Sequence, residues 1–333
     1  MDVIKEFQDT TIEKINMPTL AAFIPVLNEK KAEIDKIERK EFQYGQRNRH
    51  YLDVYYPPTT CALSTSNGKL PVLFFIYGGG YNTGSRRLPE PYEMGYRALG
   101  SSFAARGFLT VIPDYRLVPE VRFPSASEDL RDALLWVAGH AAEVAGEAKE
   151  PESARTELDP GCVFMLAHSA GAAHTLVLHL YPPLRASLAE KAAEVGLRVR
   201  GLVLNGSPWY FSVRGEKFTT TGPVKFYFGG EAQQKEREPG ALWAALGEED
   251  VRGLPEVFLL QAEREPDWLK VETKEIMNKE IREKLGVVGR ELEETYIAAG
   301  HNHVSMNWVL GTGDAEGEKW RDDVIEWIKA RLV

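Results

Sequence analysis

The chain has 333 residues, 44% of them apolar, enough to bury a sizeable core in one large domain that carries insertions. Lys and Arg number 40 against 49 Asp and Glu, and the resulting net charge of -9 argues against nucleic acid or an anionic membrane surface as a partner. The two cysteines, Cys61 and Cys162, fit neither a disulfide framework nor a metal spacing.

Residues 1–40 read as a helical segment apart from the rest. Ile4, Phe7, Thr11, Ile12 and Ile15 share one helix face, Pro18 breaks the helix, and the apolar run Leu20-Ala21-Ala22-Phe23-Ile24-Pro25 continues it, as a lid would require. The opening Met1-Asp2-Val3-Ile4-Lys5-Glu6 is too charged for a signal-peptide core, and the longest apolar run, 70–77, is far short of a membrane span. The expectation is a soluble, cytoplasmic protein.

From about residue 41 onward, short β-rich runs alternate with helical stretches, the pattern of a mostly parallel sheet with helices on both faces. Runs 41–44 and 50–56, divided by a turn at Gly45, predict an antiparallel opening pair. Runs 72–77, 109–113, 163–166, 202–204, 257–261 and 294–298 follow. The later ones are continuous apolar strings, as strands covered on both faces should be. Helical spacing appears over 127–142 and 322–332. Residues 207–254 interrupt this order as a cap insertion rich in aromatics: Trp209, Tyr210, Phe211, Phe218, Phe226, Tyr227, Phe228 and Trp243. Tyr81, Trp209, Tyr210 and Phe211 are expected to line an apolar pocket.

Chemistry enters at Ala167-His168-Ser169-Ala170-Gly171, directly after the run 163–166. A strand that breaks sharply into a helix holds one serine exposed, and only small residues two positions before and after it avoid collision. Ala167 and Gly171 meet that need, although the usual motif has glycine at both places. Such a serine requires fixed donors for an oxyanion, an acid and a base, the last two following it in that chain order. Gly79 and Gly80 of Tyr77-Gly78-Gly79-Gly80-Tyr81, with the amide of Ala170, supply the donors, because glycines let backbone N–H groups approach a substrate oxygen. The acid falls after the run 257–261, where Glu263, Glu265 and Asp267 compete and Glu265 is chosen. The base follows the last strand, where His301 and His303 both stand. A His-x-His pair is also a metal spacing, but no third ligand stands at a suitable distance, so neither metal nor cofactor is expected. His174 and His179, within the helix after Ser169, are read as structural or exposed.

These features, together with Tyr44-Gly45, Leu52-Asp53-Val54-Tyr55, Pro57, the block Asp114-Tyr115-Arg116-Leu117 with Pro119-Glu120 and Phe123-Pro124, and then Glu128-Asp129-Leu130 and Trp136, carry a family resemblance. From about residue 41 to the end it resembles the hormone-sensitive-lipase-like and arylformamidase-like serine esterases of the α/β-hydrolase fold. The resemblance implies Ser169 as nucleophile, Glu265 as acid, and Gly79, Gly80 and Ala170 as oxyanion donors. It favours His303 over His301, and it gives Asp114 and its neighbours a bracing role. Three departures stand out: Tyr77 replaces the histidine that opens His-Gly-Gly-Gly, which removes a hydrogen-bonding group near the oxyanion loop; Ala167 replaces Gly; Glu265 replaces the commoner Asp. The function implied is hydrolysis of a small apolar carboxylic ester or lactone through an acyl-enzyme. Acyl transfer, lactone closure, cleavage of an aryl-formamide and a non-catalytic small-molecule receptor are the alternatives, and a homodimer is left open.

Overall fold

The computed structural model describes residues 1–146, 157–211 and 222–332. Among them the chain builds one sheet from β1 (Arg39–Gln43), β2 (Tyr51–Tyr55), β3 (Leu70–Ile76), β4 (Leu109–Pro113), β5 (Leu158–His168), β6 (Val199–Asn205), β7 (Glu256–Arg264) and β8 (Tyr296–Asn302). The spatial order is β1-β2-β4-β3-β5-β6-β7-β8. β1 pairs antiparallel with β2, and β2 antiparallel with β4; every later pairing is parallel. Helices cover both faces, which is why β3 and β4 are buried along their whole length and read as unbroken apolar strings.

The order of strands fixes where a site can form. From β3 the chain steps outward to β4, then returns past β3 to lay down β5 on its other side. Two neighbouring strands whose onward connections diverge leave a crevice at their carboxyl ends, the usual ligand position in such sheets. Here those ends are Ile76, followed by the glycine loop, and His168, followed by Ser169.

Several boundaries differ from the sequence expectation. β5 begins at Leu158 and β8 runs on to Asn302, so His301 lies inside a strand rather than after one. The helix anticipated over 127–142 is two: Ser125–Gly139 and Ala141–Ala145. The last helix starts at Ala315, where the Asp314 side chain accepts a hydrogen bond from the Gly317 amide. Between β7 and β8 lie a π-helical stretch, Val271–Met277, and the helix Asn278–Val287, neither anticipated.

The N-terminal region also corrects the expected break at Pro18. A short helix, Asp2–Lys5, is followed by a non-helical link in which Asp9 Oδ1 accepts from the Thr11 amide and hydroxyl, at 2.8 and 2.7 Å. That local bonding competes with helix and ends it before Thr11. The N-terminal helix then runs unbroken from Ile12 to Glu29 through Pro18 and Pro25, both on its exposed side. Ile15, Thr19, Phe23 and Leu27, spaced four apart, are buried on the opposite side. Each interior proline costs about 3 kcal/mol, but burying large apolar side chains returns roughly 1.5–3 kcal/mol apiece and holds the helix in place.

The cap expected over 207–254 contains helices Gly222–Phe228, Glu231–Arg237, Pro239–Ala244 and Glu248–Arg252, between β6 and β7. Phe218 lies outside the described residues. Among the described residues no helix is long and apolar enough to cross a membrane.

Candidate active site

Ser169 joins β5 to the elbow helix Ala170–Leu180 with φ 53° and ψ -124°. A side-chain-bearing residue with positive φ costs on the order of 1–3 kcal/mol, strain that a sharp strand-to-helix turn imposes. The turn is held by the Ser169 amide donating to the Asn205 carbonyl on β6, 2.9 Å away. Gly171 admits no larger residue, since a β-carbon there would stand 2.3 Å from the Tyr77 carbonyl oxygen. Ala167, opposite Ile76 in the ladder, is fully buried, and its methyl is accommodated in the packed sheet.

The glycine loop reaches the serine through Gly78, where a β-carbon would lie 2.8 Å from Ser169 Cβ. Gly79, Gly80 and Tyr81 then take φ of 131°, 60° and 75° in succession. At Gly79 a side chain would meet the Thr83 carbonyl at 2.2 Å, so the loop folds tightly on itself. Tyr81, with a conformation rare outside glycine, is pinned by rings of His174, Tyr227 and Phe211 at 4.8, 5.0 and 5.9 Å, and its carbonyl accepts from the Val118 amide. Ala170 opens the elbow helix, so its N–H is one of the donors a helix start leaves without an intrahelical partner.

Tyr77 corrects an expectation. Its hydroxyl donates to Asp114 Oδ1 at 2.6 Å and accepts from Arg49 at 2.9 Å, while its carbonyl accepts from the Tyr115 hydroxyl at 2.7 Å. The replacement of histidine therefore keeps a hydrogen-bonding group and directs it into the brace below the loop. Asp114 is part of that brace, paired also with Arg86 at 2.8 Å, and is not among the residues lining the cavity at Ser169.

The candidate acid and base are brought together by the β7–β8 register. Arg264 pairs with Asn302, so the strands deliver Glu265 and His303 side by side. His303 Nδ1 lies 2.7 Å from Glu265 Oε2, and both side chains are buried. A carboxylate on Nδ1–H leaves Nε2 bare, the tautomer a general base requires. Gly206, just beyond β6 and with φ 55°, makes room for the pair; a β-carbon there would stand 2.9 Å from Glu265 Oε1 and 3.0 Å from His303 Nδ1. Sequence reading missed Gly206, although a glycine directly after a buried strand was the available signal.

The rival candidates have other occupations. Glu263 accepts the Gly300 amide at 2.6 Å, and Asp267 is solvent-exposed beside Lys270. Both ring nitrogens of His301 are engaged, Nδ1 with Ser305 Oγ at 3.0 Å and Nε2 with the Gly317 carbonyl at 2.9 Å; burial lowers its pKa to about 4. His174 and His179 are buried, and desolvation lowers their pKa values to about 3 and about 4.

Ser169, Ala170, His303, Gly79, Gly80 and Tyr81 line one cavity of about 600 Å³. Its remaining wall is largely apolar: Ile12 and Leu20 from the N-terminal helix, Leu88, Tyr96, Phe211, Val224, Trp268 and Trp308. Trp209 and Tyr210, expected in this wall, are not there. Glu272 in the π-helical stretch accepts both their amides, at 3.0 and 2.7 Å, and Glu280 accepts the Trp209 indole N–H at 2.7 Å and the Tyr210 hydroxyl at 2.9 Å. These contacts turn the two rings toward the helix Asn278–Val287 and leave Phe211 alone of the three on the cavity. A larger groove of about 990 Å³ beside β1 is bordered by mixed charges such as Glu33, Lys36, Arg106 and Glu318, and Ser169 and His303 are not among its liners. Among the described residues no group of three His, Cys, Asp or Glu side chains is placed to hold a metal ion.

Comparison with known proteins agrees with this architecture. The BD-FAE family model matches residues 52–150. Carboxylesterase NlhH of Mycobacterium tuberculosis is 30% identical over 112 residues, covering 34% of this chain and 31% of that protein. The non-reducing polyketide synthase ausA of Aspergillus calidoustus is 39% identical over 97 residues, 28% of this chain but 4% of the synthase. The chain thus matches less than a third of the length of either relative. A thermostable esterase from Pseudomonas putida superposes with a TM-score of 0.61 at 22% identity, over 93% of this chain and 89% of that one. Esterase B from Lactobacillus rhamnosis, solved with a tributyrin phosphonate, gives 0.62 at 15% identity, over 97% and 96%. The chain has the α/β-hydrolase fold that these esterases share.

Proposed function

We propose that the protein is a serine carboxylic ester hydrolase that works through an acyl-enzyme on a small apolar ester. The observation that carries this reading is a strained Ser169 sharing one cavity with His303, whose Nδ1 is held at 2.7 Å by the buried Glu265. Ser169 Oγ attacks the ester carbonyl carbon as His303 Nε2 takes its proton, and Glu265 stabilises the resulting imidazolium. The carbonyl oxygen becomes an oxyanion received by the amides of Gly79, Gly80 and Ala170. Collapse breaks the bond to the alkoxy group, which leaves with the proton from His303. Water then attacks the acyl-enzyme, gives a proton to His303, and releases the acid while Ser169 recovers its own. None of these steps needs a cofactor.

In this reading residues 1–40 act as a lid and 207–254 as a cap, since Ile12 and Leu20 from the first and Phe211 and Val224 from the second border the cavity. Similarity to named carboxylesterases supports ester cleavage. The match to a stretch of polyketide synthases and the apolar contribution of the N-terminal helix favour a second use of the same acyl-enzyme, transfer to an alcohol.

Ser169→Ala should lower turnover of an activated short ester by about 10⁴–10⁶-fold, and a fluorophosphonate should label the native protein at Ser169 alone. Retained activity in that variant ends the proposal. Product analysis with a hydroxy-acyl ester separates the two uses: free acid marks hydrolysis, and a lactone marks transfer.

A further inference from the structure

One buried titratable group beside the nucleophile has no part in the steps above. His168 closes β5 between Ala167 and Ser169, is 7% exposed, and borders the cavity. Its Nε2 lies 2.8 Å from the backbone carbonyl oxygen of His303. A carbonyl can only accept, so Nε2 carries the proton and donates it. Nδ1 is then a bare acceptor, and it faces the start of the glycine loop, where a β-carbon at Gly78 would stand 3.2 Å from it. The rings of His168 and His303 are 4.5 Å apart between centroids, tilted by 39°. Burial, reinforced by the neighbouring His303, keeps the His168 pKa well below its ordinary 6.5, so the ring is a neutral donor at pH 7.

We propose that His168 is a positioning residue for the general base: its Nε2–H ties the His303 backbone to the nucleophile elbow, and its ring packs against the flank of the His303 imidazole. Glu265 fixes His303 at one point, the Nδ1 edge of its side chain. A single fixed edge leaves the ring free to swing with its own backbone. The tether from His168 adds a second fixed point on the main chain of the same residue, and two points set the direction in which Nε2 looks. Because the tether comes from the residue next to Ser169, any shift of the elbow carries the base with it. The motif position before the serine, which a motif reading leaves unspecified, thereby becomes a link between nucleophile, base and glycine loop.

The inference rests on the acyl-enzyme reading, and its test keeps the two apart. His168→Gln can offer an amide N–H from nearly the same place, whereas His168→Leu fills similar space without a donor. The measurements are kcat and KM on a short activated ester, the rate of fluorophosphonate labelling at Ser169, and the melting temperature. His168→Leu is expected to lower kcat by about 10–100-fold, since an ångström of misplacement costs on the order of 10², with KM changed less than about threefold and labelling slowed in parallel. His168→Gln should recover most of that loss. Unchanged kcat in folded His168→Leu, or a Gln variant no better than Leu, overturns the proposal while leaving the nucleophile in place. If native protein fails to label at Ser169, the acyl-enzyme reading itself falls. Should the Leu variant not fold, nitrogen-15 spectra of histidine-labelled native protein decide: the neutral Nε2–H form of His168 at pH 7 is expected, and the Nδ1–H form or a charged ring overturns the tether.

Discussion

The corner that holds Ser169 and the helical roof above it are built by different rules. At the corner, Glu265, His303, His168 and Ser169 sit at the carboxyl ends of β5, β7 and β8, so their mutual positions are those of paired strands. The roof is helical and lines the cavity with the apolar Ile12, Leu20 and Val224, whose contacts set no direction, and with Glu13 and Asn16 from the N-terminal helix. Polar ties between the two are few but aimed. Asn302, next to His303, donates to Thr19 on the N-terminal helix at 2.9 Å and accepts from the amides of Val304 and Ser305. Arg264, next to Glu265, donates to the carbonyls of Lys5 and Phe7. Under the proposed function, the difference teaches that chemistry and selectivity can be altered separately, with Asn302 and Arg264 as joints between them.

The largest expected effect lies in the corner. Glu265→Gln preserves shape but presents an amide to Nδ1 and cannot stabilise an imidazolium, so kcat should fall by about 10³–10⁴-fold with KM little changed, the scale seen for the equivalent exchange in protease triads. A loss below tenfold would show that Glu265 is only packing. In the roof, Leu20→Trp narrows the cavity without touching the serine. Its kcat/KM should drop on the order of tenfold or more for long acyl esters and stay near normal for acetyl esters; an equal drop for both would place Leu20 in the chemistry. Thr19→Val tests the joint. It strands the Asn302 amide, which should cost about 1–3 kcal/mol of stability and lower kcat a few-fold through the His303 loop. Lost stability with kcat intact would make the tie structural alone.

The smallest effect at neutral pH, and a growing one below it, comes from the buried histidines. His174, His179 and His301 protonate in the folded state only near pH 3 to 4, and His168 is also shifted down, all because of burial. The unfolded chain takes up these protons near pH 6.5, so it binds more protons in between and gains over the folded form. Their stabilising contribution is complete above about pH 6.5 and is lost as pH falls toward 4. The melting temperature should therefore decline steadily from about pH 6.5 to 4.5; a flat profile there contradicts the assignment.

Much of the corner was legible because each part is a local signal. A small-residue pentapeptide after an apolar string marked the turn at Ser169, three glycines after the preceding strand marked the loop that approaches it, and a carboxylate and an imidazole stand after the last two strands in chain order. Glu265 and His303 are paired with each other, whereas Glu263, Asp267 and His301 are engaged elsewhere or exposed. What was illegible depends on distant partners. The direction of Trp209 and Tyr210 is decided by Glu272 and Glu280, 62 to 71 positions along the chain. The continuity of the N-terminal helix through Pro18 is decided by what Phe23 and Leu27 bury against, which composition does not state. Gly206 and His168 matter only once β6, β7 and β8 are neighbours.

Gly78 and Gly171 act as a pair. Each is empty where the other's segment passes: the loop's backbone runs against Ser169, and the elbow helix presses on the Tyr77 carbonyl. Two segments that fill one another's missing side chains are keyed together, so Ser169 and the glycine loop are held as a single piece. Neither position can drift alone under mutation. Replacing one without reshaping the other would wedge the key out of its slot, so under the proposed function a change of substrate preference falls to the roof.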